Sequence, residues 1–166
     1  TAAYKDPEYK ILTWENARLA KDLEKIKNNS DFKVIISKRW RQTGLDRDQS
    51  FNISLDSRDG KILKDSSNTI NHTPESVELT SYITGSVKLI MSRYLHFNVN
   101  LQYFKPQINE SGVYEYKSFP VVSERRMKSK EAHYIDHPMV GMIILATPYR
   151  IKPNKADSKP LTYKTL

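Results

Sequence analysis

The sequence predicts an α+β domain: an antiparallel β-sheet with an N-terminal amphipathic helix packed on one face. Three observations carry that prediction. Apolar residues between positions 11 and 27 recur at helical spacing, residues 77–104 alternate apolar with polar, and a β-branched run closes on Arg125 and Arg126. The chain has 166 residues, the length of one domain, and 38% apolar content is enough for a core diluted by polar loops. The domain is expected to span 1–151. A basic polar tail, 152–166, follows it, with a composition that predicts flexibility.

Asp6-Pro7 offers a helix start, and Leu12, Leu19, Ala20, Leu23 and Ile26 share one face of a four-turn helix over 11–27. Asn28-Asn29-Ser30 ends it. Residues 32–42 alternate, with Phe32, Val34, Ile36 and Trp40 on one side, and read as a strand. Phe51, Ile53 and Leu55 make a shorter one, and Asp59-Gly60 signals a hairpin that would return through Ile62. Residues 64–76 lack periodicity and read as a surface loop.

In 77–104 the odd positions, from Val77 to Tyr103, are mostly apolar and the even ones mostly polar. One strand of that length would span about 90 Å, too long for a domain of this size. It must turn, and the unchanged parity calls for a three-residue loop, placed at Ser92-Arg93-Tyr94 with Met91 facing Leu95. Gly85 marks a bulge or kink in the first of the two strands. Residues 113–117 are expected as an edge strand and 119–127 as a firmer one. Residues 139–147 do not alternate, which predicts a central strand buried on both faces.

The net charge of +8 favours polyanionic partners, although the 27 basic residues are spread along the chain and no nucleic-acid groove is expected. The chain has no cysteine, which excludes disulfides, thiolate metal sites and a cysteine nucleophile. No apolar run reaches the ~20 residues of a membrane-spanning helix. The chain begins at Thr1 with neither methionine nor an apolar leader, as expected of a processed or trimmed sequence. There is no phosphate loop and no nucleophile elbow, and neither an enzyme nor a cofactor is expected.

His133, Tyr134, Asp136 and His137 crowd five positions before Pro138. Two readings stand. The three ionisable side chains hold a metal, or Asp136 holds a turn and orients one histidine. Arg125 and Arg126 face opposite sides of their strand, and one of them can take a carboxylate bidentately. Arg93, Tyr94 and His96 form a second polar-aromatic group at a strand end, where Tyr94 can stack on a sugar and Arg93 can bind an acid.

These residues carry a resemblance. Arg93-Tyr94-Leu95-His96 is followed by Arg125, Arg126, Met127, Ser129, Glu131, His133, Tyr134, Asp136, His137, Pro138 and Gly141, then by Thr147-Pro148-Tyr149. With Trp40-Arg41-Gln42 upstream, the pattern resembles the CsiV family of Gram-negative envelope proteins over about 12–149. The resemblance implies a secreted periplasmic protein, its signal peptide not in this chain. It would bind peptidoglycan without catalysis and support wall synthesis beside a peptidoglycan synthase complex or its lipoprotein activator. The family opens with a strand, and none is expected here before the helix. The expected ligand-binding residues are Arg93, Tyr94, His96, Arg125, Arg126, His133, Tyr134, Asp136 and His137. The rival functions are a metal-dependent cell-wall hydrolase using His133, Asp136 and His137, and a protein–protein adaptor that recruits a partner strand to an exposed sheet edge.

Overall fold

A computed structural model describes residues 8–58 and 79–149. The expected hairpin at Asp59-Gly60, the loop at 64–76 and the tail at 152–166 lie outside them. The described elements are β1 (Lys10–Ile11), α1 (Ala20–Lys27), β2 (Trp40–Arg41), β3 (Asn52–Asp56), β4 (Tyr82–Met91), β5 (Leu95–Ile108), β6 (Tyr114–Met127), β7 (Ala132–Asp136) and β8 (Gly141–Leu145). β3–β6 form a four-stranded antiparallel sheet in sequence order, while β1 pairs with β2 and β7 with β8.

The alternation in 77–104 becomes β4 and β5, turned at 92–94 with Met91 opposite Leu95 as the parity required. One face of the sheet, here the inner face, carries Ile53, Leu55, Ile83, Val87, Phe97, Val99, Leu101, Tyr103 and Val121, all buried. Each fully buried aliphatic side chain among them stabilises the fold by about 1.5–3 kcal/mol. The inner face is covered by Ile35, Ile36 and Trp40 from one side and by Ile135, Met139, Val140, Met142 and Ile144 from the other. Among the described residues the protein is therefore mostly antiparallel sheet with one short helix.

The helix is eight residues long, not the four turns expected for 11–27, and none of its side chains is buried or belongs to the core. The preceding chain is committed elsewhere. β1 pairs with β2, the Leu12 amide donates to the Arg39 carbonyl, and Asn16 takes a left-handed φ of 55° that no helix continues. The Arg39 guanidinium also donates to the Thr13 carbonyl at 2.6 Å. A short strand thus does precede the helix, where none was expected.

Other expectations shift for similar reasons. Of the strand at 32–42 only Trp40–Arg41 is paired, and Phe32, assigned inward, is 64% exposed. The two strands expected at 113–117 and 119–127 are one, β6; as the sheet's outer strand it tolerates Pro120. The strand expected at 139–147 is not central: among the described residues β8 pairs with β7 alone, and Ile143 is exposed. Gly85 makes no bulge, since the β4–β5 register runs through it unbroken.

Candidate functional site

The β5–β6 register places Leu95 opposite Met127, His96 opposite Arg126 and Phe97 opposite Arg125. Two motif pieces about thirty residues apart in sequence thus become neighbours at one corner of the sheet. Arg125 shares the side of Phe97, and its guanidinium donates to the Tyr134 carbonyl at 3.2 Å, which ties β6 to β7. Arg126 lies on the outer face, 3.4 Å above the exposed Tyr94 ring, with the Arg93 guanidinium 5.6 Å from the same ring. Stacking at the Arg126 distance holds a guanidinium by its flat face and leaves its N–H edge free to bind.

What separates this pair from the other described arginines is the lack of any hydrogen-bond or ion-pair partner among the described residues. Arg18 and Arg39 donate to backbone carbonyls, and Arg41, Arg47 and Arg58 pair with Glu8, Glu124 and Asp56. Beside the corner, Nδ1 of His96 stands 3.5 Å from Oε1 of Glu124, the same oxygen that accepts from Arg47 at 2.9 Å. The corner can therefore receive an anion without breaking an existing pair.

Arg47 holds the Glu124 carboxyl below its ordinary range, chiefly by its hydrogen bond, and Arg58 does the same for Asp56. Any stability from a depressed carboxylate is present above the ordinary carboxylate range and is lost as pH falls through the lowered value. Both groups are exposed enough for screening to keep the contribution small. Arg47→Ala is expected to move the Glu124 titration upward, read by carboxyl-carbon NMR; an unmoved titration would show that Arg47 does not set it.

The histidine cluster is used differently. Nε2 of His133 accepts the Lys128 amide at 3.0 Å, and Nδ1 of His137 accepts the Met139 amide at 3.2 Å. The His137 ring therefore makes the turn bond that the sequence reading assigned to Asp136. His137 and Val140 also exchange backbone hydrogen bonds across that turn. Tyr134 and Asp136 point outward on β7, with Tyr134 lying across Gly141. Among the described residues, no three His, Asp or Glu side chains are placed to share a metal ion.

The nine residues expected to form one site thus divide. Arg93, Tyr94, His96 and Arg126 gather on the outer corner, whereas Arg125, His133, Tyr134, Asp136 and His137 belong to β7–β8 and its attachment to β6. Glu124 and Arg47 were missed. Glu124 shares the parity of Arg126 and was open to discovery, but nothing local marks Arg47, whose partner lies 77 residues away. The remaining motifs make internal contacts: Trp40 Nε1 donates to Gln42 Oε1 at 2.8 Å, and Arg41 stacks 4.2 Å from the Tyr149 ring.

Fold and surface together define a β-rich domain with a basic, aromatic outer corner. The model of the family described as "Peptidoglycan-binding protein, CsiV" matches residues 2–149, and the chain belongs to that family. Comparison with curated proteins and with solved structures returned no match. Membership of a peptidoglycan-binding family places the protein in the cell envelope. Among the described residues no helix is long and apolar enough to cross a membrane.

Proposed function

We propose that this is a non-catalytic, periplasmic peptidoglycan-binding accessory protein that supports cell-wall synthesis, with its ligand captured at the outer corner of the sheet. One observation carries the site: Arg126 is stacked on the exposed Tyr94 ring, Arg93 lies 5.6 Å from the same ring, and neither guanidinium has a hydrogen-bond or ion-pair partner among the described residues. Two guanidinium groups at one ring are positioned for the carboxylates of peptidoglycan stem peptides, each a strong, charge-assisted contact. Tyr94 supplies an apolar ring edge for the adjoining sugar, and His96 lines the same corner. Support of wall synthesis implies a synthase complex or its lipoprotein activator as partner.

The test is sedimentation of the protein with isolated sacculi at physiological salt, with DNA as competitor. The wild type is expected to pellet despite DNA, and Arg93→Ala/Arg126→Ala to lose at least about tenfold in affinity. Arg125→Ala, whose guanidinium is already spent on Tyr134, serves as the control and should still pellet. If the double variant pellets like the wild type, the corner is not the site. A wild type that stays in solution refutes wall binding and favours an adaptor.

A further inference from the structure

The outer face of the sheet extends well beyond the corner, and its far end is aromatic. The rings of Tyr82 on β4 and Phe104 on β5 stack with centroids 4.5 Å apart, and Tyr116 on β6 meets Tyr82 edge-on at 5.1 Å. Tyr116 has an unusual reach. It starts on β6, yet its hydroxyl donates at 3.2 Å to the carbonyl of Thr80, which leads into β4. β6 and β4 are two strand spacings apart, about 9.6 Å, so the side chain must lie across β5 rather than stand upright. Tyr116 is 39% exposed, so a side chain held across β5 by this bond and by Tyr82 is open to solvent before any ligand arrives.

Between this ring and the Arg126 corner the face is lined with small polar groups. Asn100 and Gln102 on β5 are exposed, paired in register with Val122 and Pro120 on β6 and with Ser86 and Thr84 on β4. Val122 is 70% exposed, an open apolar step in the middle of the face. The outer-face carboxylates on these strands, Asp56 and Glu124, are each held by an arginine. The surplus charge of the strip is therefore positive. From Tyr116 to Val122 the open strip runs six residues along β6, about 20 Å; past it Arg47 reaches over to Glu124, and the Arg93–Arg126 corner lies beyond that contact.

We propose that this strip is a track for the glycan strand of peptidoglycan: a sugar ring stacks on Tyr116, Asn100 and Gln102 bind hydroxyl and N-acetyl groups, and the stem peptides reach the Arg93–Arg126 corner. The inference rests on the peptidoglycan-binding reading above and assigns the polymer's two chemistries to two ends of one face. A flat, preorganised tyrosine beside amide side chains matches a sugar, which offers an apolar ring face rimmed by hydroxyls. An aliphatic protein partner would gain little from the exposed amides in the middle of the strip.

The probe is glycan stripped of its stem peptides, titrated by calorimetry into the full chain, with intact sacculi in parallel. The wild type should bind the stripped glycan, Tyr116→Ala should weaken it about tenfold, and Arg125→Ala, whose guanidinium is held by Tyr134 on the other side of the sheet, should stay within about twofold. Should Tyr116→Ala fail to fold, Gln102→Ala on the open middle of the strip replaces it, with an expected loss of about fivefold. A wild type that pellets with sacculi yet ignores stripped glycan overturns the track and leaves peptidoglycan binding standing. Binding to neither overturns both. Stripped glycan bound equally by the wild type and the strip variants would also overturn the track, placing the sugar elsewhere.

Discussion

Gly85→Ala is expected to destabilise the domain by about 4 kcal/mol or more, a fall in Tm of about 10 °C or greater. Gly85 sits in mid-strand with φ of +134°, a conformation that side chains rarely adopt. It pairs with Leu55 on one side and Leu101 on the other. A Cβ there would collide with the Asn100 carbonyl oxygen and come within 2.9 Å of the Leu101 Cα. Both obstacles are backbone of the central strand β5, so relief requires shifting the sheet itself. Gly141 provides the contrast, because a Cβ there meets only the ring and hydroxyl of an exposed tyrosine, Tyr134, which can swing outward. Gly141→Ala should cost about 1 kcal/mol or less. Thermal denaturation of the pair decides the matter: equal Tm values would mean that the β4–β5 approach does not constrain the fold.

Ile90→Ala is expected to cost about 3 kcal/mol, and Ile90→Val about 1 kcal/mol. Ile90 is only 1% exposed and yet stands outside the main core cluster. It occupies an even, outward position, opposite His96 and in the same row as Arg126. The connection from β2 to β3 closes over this end of the sheet. The Met91 amide donates to Leu45, Lys88 Nζ donates to the Arg47 carbonyl, and the Arg47 guanidinium reaches Glu124 on β6. Ile90 is thus a small second core beneath that connection, and truncating it leaves a cavity under the segment that carries Arg47. Urea denaturation measures the loss. A cost under about 0.5 kcal/mol would show the connection to be a loose cover rather than a packed one.

The site was legible in the sequence to the extent that strand parity reaches. Consecutive residues of a strand face opposite sides, so Arg125 and Arg126 had to part, and the structure sends one to Tyr134 and the other to Tyr94. Parity could not say that His96 would lie opposite Arg126, because register between strands is set by the turn and the core together. Nor could it separate the histidines, whose ring nitrogens accept backbone amides of Lys128 and Met139. A histidine beside an aspartate looks the same in a sequence whether it serves a ligand or closes a turn.

By itself the sequence determined the β4–β5 hairpin, its turn at 92–94, the short strand through Ile53 and Leu55, the opposed arginines and the family resemblance. These are local patterns, in which a period of two or a run of specific residues is legible without knowing the partner strand. Only the tertiary structure decided that residues 10–12 join a ribbon rather than a helix, that β8 pairs with β7 at the side of the core, and that Ile90 is buried on the polar face. It also decided that Arg93 and Arg126, thirty-three positions apart, share one tyrosine. The physical reason is common to all four. Each depends on which distant backbone supplies the hydrogen bonds or the cover, and helical periodicity in 11–27 stabilises too little to outweigh strand pairing and packing made elsewhere.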